Sequence, residues 1–147
     1  PVGSLVLGSA AFIRQARRTR KSLGGGMGQA GVLAAAGHDA LQHHVRRLAE
    51  DHANLHTLAS GLRAVGENHP VLRGRITVHP WQTNILFTDV QADVAPAFTA
   101  WLAQHQIRVT SSLYGGQSRL RWVTHLDVNA ADVQAALDCV TRFTVPG

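Results

Sequence analysis

Residues 22–31 read Ser-Leu-Gly-Gly-Gly-Met-Gly-Gln-Ala-Gly and separate a basic helical segment from a long one rich in alanine and leucine. Glycine is used where the backbone needs a positive φ or where another group approaches closely. Such a run ends one helix, exposes backbone N–H groups and starts the next helix. Turn chemistry favours a helix–helix linker, and the alternative is a turn that binds an anion.

The segment before the glycines has the pattern of a capped, basic helix. Ser9 is the expected N-cap of a helix over residues 10–23, which Gly24 stops, and a short strand is expected over residues 2–8. Four cations share one helix face at spacings i, i+3, i+4 and i+7: Arg14, Arg17, Arg18 and Lys21. A solvated basic face is the ordinary interpretation, and a contact with phosphate or nucleic acid is the alternative.

Helical periodicity continues over residues 29–66, a run too long for one straight helix in a domain of this size. A break is therefore expected near Gly37 or at His43-His44. From Arg75 onward the pattern changes to β-β-α-β-β-α. The strands are expected at 74–79, 83–88, 106–110 and 119–124, with a loop at 111–118 and helices at 92–105 and 130–143. This order predicts a small α+β domain with helices on one face of a mostly antiparallel sheet.

Composition limits the possible functions. The 147 residues are 45% hydrophobic, which is enough for a core, and no apolar run approaches the ~20 residues that span a bilayer. The net charge of +5 is carried by 13 arginines and one lysine, so Schiff-base chemistry in this chain would have to use Lys21. A basic balance favours anionic partners. The single cysteine, Cys139, excludes an internal disulfide and suits a reducing cytoplasm.

Familiar catalytic patterns are absent from the sequence. His52 and His56 stand at i and i+4, but they lack the His-Glu-x-x-His order of zinc hydrolases, so no metal site is expected. Cys139 falls on the apolar side of the last helix, where a buried and inert thiol is expected.

Two arginines on the fourth predicted strand are candidates for anion binding. Arg119 and Arg121 alternate with Leu120 and Trp122, so both arginines point to the same face of the strand. On an inward face they would indicate a carboxylate or phosphate partner, because burying an unpaired guanidinium is costly. An exposed polar sheet face is the other interpretation, and the spacing leaves both open.

Three stretches together resemble one family. They are residues 1–4 (Pro-Val-Gly-Ser), residues 20–37 around the glycines, and residues 123–128 (Val-Thr-His-Leu-Asp-Val). Residues 47–54 and 83–85 fit as well. In this order they resemble the low-specificity L-threonine aldolases, which are fold-type-I pyridoxal 5'-phosphate (PLP) lyases of the β-eliminating lyase group. The resemblance covers nearly the whole chain and implies a partial α/β fold of this type. Residues 1–66 would be the helical end of the large PLP-binding domain, and residues 67–147 the small C-terminal α+β domain.

The resemblance also implies a reaction and site residues. Full-length members use PLP on a lysine to cleave β-hydroxy-α-amino acids, threonine and allo-threonine among them, to glycine and an aldehyde. The arginine that grips the substrate α-carboxylate matches Arg121. Lys21 matches a family lysine near the active-site entrance and not the Schiff-base lysine. The family further implies a cytoplasmic homo-oligomer with shared active sites and an amino acid substrate; neither a membrane nor a nucleic acid partner is expected.

The sequence departs from the family pattern at two places. The Schiff-base lysine of the family lies just upstream of the position that matches Pro1, so no catalytic residue is expected in this chain, and the chain alone is expected to be inactive. The family usually reads Gly-Gly-Gly-Met-Arg-Gln, with its arginine near the PLP phosphate of a neighbouring subunit, and here that position is Gly28. The alternatives are a non-catalytic relative that acts as a basic binding or assembly module, and a chain that pairs with a separate chain carrying the missing half.

Overall fold

The computed structural model describes residues 4–145, which belong to two compact units that divide the chain after Arg46. The described residues form, in chain order, α1 (Ala10–Ser22), α2 (Gly31–His43), α3 (Leu48–Asn68), β1 (Ile76–Val78), β2 (Ile85–Val90), α4 (Ala95–Gln104), β3 (Thr110–Tyr114), β4 (Gln117–Val123) and α5 (Ala130–Thr141). The expected α/β class is confirmed. None of these helices is both long and apolar enough to cross a bilayer.

The segment before α1 is not a strand. Residues 4–9 have no regular secondary structure, so the strand predicted over residues 2–8 is wrong for its described part, while residues 2–3 lie outside the described residues. A strand needs a neighbouring strand for its N–H and C=O groups, and the described part of this unit offers none. Ser9 then caps α1 as predicted, because its Oγ accepts a hydrogen bond from the backbone N–H of Phe12 at 3.3 Å.

The first two glycines of the Gly-rich stretch end α1. Gly24 has φ of +79°, a left-handed conformation that costs glycine little. The N–H groups of Gly24 and Gly25 donate to the carbonyls of Lys21 and Arg20 at 3.2 and 2.8 Å, respectively. These two bonds form a Schellman ending. The predicted stop at Gly24 is therefore confirmed, and two of the amides considered for anion binding are already used within the helix end.

The long helical run breaks at His43-His44 and not at Gly37. α2 ends at His43, and a turn over residues 44–47 precedes α3. The carboxylate of Asp39 accepts a hydrogen bond from Nδ1 of His43 at 2.8 Å and lies 3.5 Å from Nε2 of His44. The His43 hydrogen bond is the main cause that lowers the pKa of this exposed carboxyl below its ordinary value.

The second unit contains an antiparallel four-stranded sheet with the strand order β1-β2-β4-β3. After α3, its elements follow along the chain in the order β-β-α-β-β-α, which confirms the prediction. All three helices of this unit contribute to one core against one face of the sheet. The sheet supplies Leu86, Val90, Leu120 and Trp122, and the helices supply Leu55, Leu62, Phe98, Leu102, Val133 and Val140. Alternate residues of β2 and β4 face away from this core, so the opposite sheet face is left without a helix.

The third strand lies four residues further along the chain than predicted. Alternation in the sequence indicated residues 106–110, whereas β3 is Thr110–Tyr114. The reason lies at the end of α4, where Gln106 has φ of +62° and the N–H of Ile107 donates to the carbonyl of Leu102 at 2.9 Å. This segment finishes the helix and is not available for strand pairing.

The loop predicted over residues 111–118 is instead a β-hairpin. Tyr114 pairs with Gln117, and Gly115-Gly116 form the two-residue connection with φ of +56° and +78°. Two consecutive positive φ values are what a tight type I′ turn requires, and glycine provides them without strain.

The compact units divide after Arg46, and α3 packs on the sheet and on α5. Gly66 allows a close approach of α3 to the sheet, because a Cβ atom there would lie 3.0 Å from the carbonyl oxygen of Ile76. The division at residues 1–66 and 67–147 concerned the domains of the full-length family member, and it stays a prediction.

Candidate functional site

Arg121 lies on the sheet face that the helices leave uncovered. β4 directs Leu120 and Trp122 into the core, so Arg119 and Arg121 project from the opposite face. This outer face is open to solvent, since Arg121 and its cross-strand neighbour Phe87 are both exposed. The exposed sheet face, one of the two interpretations that the sequence left open, therefore holds for Arg121, while Arg119 has a carboxylate partner.

Arg119 forms an internal ion pair with a carboxylate on the same face. Its Nε and Nη2 donate to Oδ1 and Oδ2 of Asp89 at 2.7 and 2.8 Å, a bidentate arrangement between residues directly opposite each other on β2 and β4. The guanidinium also stacks on Tyr114, with Cζ 3.9 Å from the ring centroid. Asp89 is 8% exposed. Arg119 therefore has its partner within the protein.

His79 completes this network. Its Nε2 lies 2.8 Å from Oδ2 of Asp89, and because a carboxylate only accepts, Nε2 carries the proton. The hydrogen bond from Arg119 is the largest cause that lowers the pKa of Asp89 from 3.8 to about 2, followed on the lowering side by the His79 hydrogen bond. The same ion pair raises the pKa of Arg119. Asp89 therefore stays ionised throughout the physiological range.

The lowered pKa of Asp89 makes the stability of this unit depend on pH. The folded-state pKa is about 2 and lies below the ordinary 3.8, so the stabilisation is present above about pH 4 and is lost as the pH falls through 2. We expect Asp89→Asn to cost about 1–2 kcal/mol of unfolding free energy near pH 6 and roughly a third of that near pH 2.5. Urea unfolding at both pH values measures this difference. Asp93→Asn is the matched control, because Asp93 forms an exposed pair with Arg75 and should change stability by less than about 0.5 kcal/mol.

Arg121 differs from Arg119 in having no such partner. Within residues 4–145 no carboxylate forms an ion pair with Arg121, and its strand neighbours are Phe87 on one side and Thr110 on the other. An exposed guanidinium with five N–H donors and no internal acceptor is available for an external carboxylate.

The backbone after Arg121 is fixed by two other stretches that supported the family resemblance. Nδ2 of Asn84 donates to the carbonyl of Thr124 at 2.7 Å, and Oγ1 of Thr124 donates to the carbonyl of Asp51 at 2.7 Å. Nδ2 of Asn54 donates to the carbonyl of Val128 at 3.1 Å. These hydrogen bonds join three of the stretches that carried the resemblance, namely residues 47–54, 83–85 and 123–128. Their contacts hold the end of β4 that carries Arg121.

A buried ion pair stabilises the start of α3 at this junction. Nη1 and Nη2 of Arg47 donate to Oδ2 and Oδ1 of Asp51 at 3.1 and 2.9 Å. The Asp51 side chain is only 3% exposed. The network therefore extends from the first turn of α3 to the segment that follows Arg121.

The other two predicted site residues lie in the first unit. Lys21 is exposed in the last turn of α1, and its side chain folds against Gly26, where a Cβ atom would lie 2.6 Å from Cδ and 3.2 Å from Nζ. Gly28 is exposed, and a Cβ atom there would meet nothing within 4 Å. A Cβ atom at this position would therefore be accommodated without a clash.

The expected place of the Schiff-base lysine is not covered by the structure. That lysine was expected just upstream of Pro1, and Pro1 itself lies outside the described residues 4–145. The expectation that this chain holds no catalytic residue therefore stays a prediction. Lys21 is the one lysine of the sequence, and it matches a different position of the family.

Positive charge is concentrated in the first unit. Residues 1–46 contain six Arg and Lys and one acidic residue, Asp39, while residues 47–147 contain eight of each sign. The formal net charge of +5 therefore belongs entirely to the first unit. The basic residues of α1 form no ion pair with any described carboxylate.

Cys139 and His56, two further candidates from the sequence, pack against other parts of the protein. Cys139 is buried, and its burial raises the pKa of the thiol, in agreement with an inert side chain. His56 packs edge-on against Trp81, with ring centroids 5.7 Å apart. Among the residues that the structure describes, no three His, Cys, Asp or Glu side chains are placed to hold a metal ion.

Two cavities of the second unit lack the lining that PLP needs. A cavity of about 410 Å³ between α3 and α5 contains neither lysine nor arginine among its lining residues, and its polar groups come from Asn68, His69 and Thr141. A second cavity of about 190 Å³ contains Arg108 and Asp132 but no lysine. Since neither lining offers an amine for a Schiff base, these two cavities do not fit the cofactor.

Sequence reasoning missed Asp89, His79 and Tyr114. The second strand was predicted to end at Thr88, one residue too early to include Asp89, and Tyr114 was assigned to a loop. Alternation along β2 carries the signal, because Phe87 and Asp89 fall on the face opposite to the buried Leu86 and Val90. The pairing of Asp89 with Arg119 depends on strand register, which a single strand does not encode.

The fold of this chain is similar to that of a solved structure. The solved structure of 8-amino-7-oxononanoate synthase (bioF) from Francisella tularensis matches 74% of this chain and 30% of that chain, with a TM-score of 0.56 and 17% identity. At that identity the likeness concerns the fold alone, and it confirms the expected fold-type-I class.

The chain belongs to the β-eliminating lyase family, whose model matches residues 1–93. The probable low-specificity L-threonine aldolase 2 of Arabidopsis thaliana is 39% identical over 145 residues, which cover 97% of this chain and 39% of that protein. The low specificity L-threonine aldolase of Escherichia coli (strain K12) is 40% identical over 129 residues, covering 88% of this chain and 34% of that protein. The chain thus spans 34–39% of the length of these relatives. The resemblance to threonine aldolases and the expectation of PLP in the full-length family member are confirmed.

Proposed function

We propose that the chain is the C-terminal part of a PLP-dependent, threonine-aldolase-like lyase that cleaves β-hydroxy-α-amino acids to glycine and an aldehyde. Its family membership and its similarity to two threonine aldolases over 88–97% of its length support this assignment. A cytoplasmic homo-oligomer with shared active sites is part of the same proposal. When bound in the full-length protein, PLP would supply an electron sink for the bond cleavage, and Arg121 of this chain would bind the substrate carboxylate.

The observation that carries the proposal is the contrast between the two arginines of β4. Arg119 is occupied by Asp89, whereas Arg121 is exposed and has no carboxylate partner among residues 4–145. Arg121 is also the residue that matches the carboxylate-binding arginine of the family. A bidentate grip on the α-carboxylate fixes the orientation of the amino acid, and this orientation decides which bond at Cα is cleaved.

Lys21 and Gly28 have supporting roles in this proposal. Lys21 matches a family lysine near the active-site entrance, and in the proposed full-length protein its exposed amine would attract the substrate carboxylate. At Gly28 the chain lacks the guanidinium that the family is expected to place near the PLP phosphate, and only a backbone amide would be available there.

The chain alone should form no glycine from threonine or allo-threonine in the presence of PLP. Its single lysine is exposed at the end of α1 and lines neither of the two cavities described above. Borohydride reduction with PLP, followed by digestion and mass spectrometry, should give only substoichiometric labelling of Lys21, and amino acid analysis should detect no turnover. Lys21→Arg is the control and should likewise form no glycine. Stoichiometric labelling together with glycine formation would contradict the proposal.

The distribution of charge favours a second candidate function, a basic binding or assembly module. Residues 1–38 contain no acidic residue, and α1 carries five basic residues, namely Arg14, Arg17, Arg18, Arg20 and Lys21. A helix of this kind attracts polyanions through their phosphates.

A salt titration tests this second candidate. If four basic side chains contact duplex DNA phosphates, affinity should fall about 10²-fold between 50 and 200 mM salt. Changing Arg14, Arg17 and Arg18 to Gln should remove most of this dependence, while changing Arg63, Arg73 and Arg142 of the second unit should not. No binding at low salt would exclude this function.

A further inference from the structure

We propose that Asp89 determines the substrate specificity of the outer sheet face, because it occupies Arg119 and leaves Arg121 alone to accept a single carboxylate. The ligands selected are amino acids with one carboxylate, and those excluded are dicarboxylates. This inference rests on the proposed function, in which Arg121 binds the α-carboxylate.

The two arginines stand at a spacing that suits a dicarboxylate. They are two residues apart on β4, so their Cα atoms are about 6.6 Å apart and their side chains leave the same face. Both side chains are flexible enough to converge on one small molecule. Without Asp89, this face would present two guanidinium groups side by side.

Asp89 is held in place more firmly than an external ligand would be. It lies directly opposite Arg119 in the sheet, accepts from both Nε and Nη2, and accepts a further hydrogen bond from His79. An intramolecular carboxylate acts at a high effective concentration, so an incoming carboxylate competes poorly for Arg119. The other residue opposite Arg119 is the uncharged Ser112.

The Asp89 carboxylate neutralises the charge of Arg119 and not that of Arg121. Asp89 pairs with Arg119 and has no hydrogen bond or ion pair with Arg121 among the described residues. Phe87, two residues before Asp89 on β2, is the neighbour of Arg121 and is 40% exposed. The face therefore combines one available guanidinium with an apolar neighbour, an arrangement that suits a small amino acid.

The test compares two probe anions, acetate and malonate, by NMR titration of the Arg121 Nε–H in the 147-residue chain. In the wild type we expect the two affinities to differ by no more than about 3-fold. In Asp89→Asn the released Arg119 should raise malonate affinity at least about 10-fold, since it adds a charge-assisted contact, whereas the loss of the Asp89 charge should raise acetate affinity by no more than about 3-fold. The double variant Asp89→Asn/Arg119→Gln should lose this gain.

A second variant keeps the test decisive if Asp89→Asn does not fold. Arg119→Gln leaves the Asp89 charge uncompensated near Arg121, so malonate should bind at least about 3-fold more weakly than to the wild type. An unchanged malonate-to-acetate ratio in a folded Asp89→Asn, or a gain that persists in the double variant, would overturn the inference. Absence of any acetate effect at Arg121 in the wild type would overturn the proposed function instead.

Discussion

Arg121→Met should lower kcat/KM for threonine by about 10²–10⁴-fold in the proposed full-length enzyme. The side chain is proposed to make two charge-assisted hydrogen bonds to the substrate carboxylate, each contributing about 1.5–3 kcal/mol, and methionine makes neither. Arg121→Lys should recover only part of the loss, because a single ammonium cannot reproduce the bidentate geometry. Both variants should keep the stability of the wild type, since Arg121 is exposed and makes no internal ion pair among the described residues.

Steady-state kinetics with L-threonine and L-allo-threonine provide the measurement. Arg73→Met is the matched control, because Arg73 is exposed in the turn before β1 and should leave kcat/KM within about 2-fold. A loss of less than about 5-fold in Arg121→Met would mean that another group binds the carboxylate.

Arg47→Met should destabilise the second unit by about 3–5 kcal/mol. The variant leaves the Asp51 carboxylate without its partner while its side chain is only 3% exposed, and an uncompensated buried charge is among the costliest defects in a folded protein. Because the carbonyl of Asp51 accepts the hydrogen bond from Thr124, the segment after Arg121 should also become more mobile. Urea unfolding measures the first effect, and amide exchange at residues 124–128 measures the second.

The double variant Arg47→Met/Asp51→Leu separates charge burial from packing. It removes both charges, so most of the lost stability should return, to within about 1 kcal/mol of the wild type. If the single variant costs less than about 1 kcal/mol, or if the double variant is the less stable of the two, the ion pair does not have the role assigned to it.

Features set by a few neighbouring residues were predictable from the sequence. Ser9 caps α1 and Gly24 ends it, because both depend on local backbone chemistry. Asn129 caps α5 for the same reason, through a reciprocal pair of hydrogen bonds with Asp132. The break at His43-His44 was one of two positions expected.

Features set by distant contacts were not predictable in the same way. The segment at residues 4–8 has apolar residues suited to a strand but no partner strand in the described part of its unit. The predicted start of β3 was wrong because Gln106 adopts a left-handed φ, which is uncommon for residues other than glycine and could not be predicted from the sequence. Predicting the Asp89–Arg119 pair would have required the register of β2 against β4. That register is fixed when one face of the assembled sheet is buried, and a single strand does not specify it.

The candidate site was predictable only in part. Arg121 was identified from the resemblance of the chain to the family. The alternation of arginines with apolar residues along the fourth strand correctly predicted that Arg121 lies on the same face as Arg119. The difference between the two arginines became visible only from the position of Asp89, which lies 30 residues before Arg119 in the chain. Specificity at this face is therefore a property of the assembled sheet and not of the motif that contains Arg121.

Titration of the ¹⁵N-labelled chain with L-threonine and with L-threoninamide tests the central claim most directly. The two ligands differ in the carboxylate, which is the group that Arg121 is proposed to bind. We predict that the Arg121 Nε–H resonance shifts with threonine and not with the amide, while the Arg119 resonance stays in place because Asp89 occupies that side chain. Equal shifts with both ligands, or a response at Arg119 without one at Arg121, would contradict the assignment of Arg121 as the substrate-binding residue.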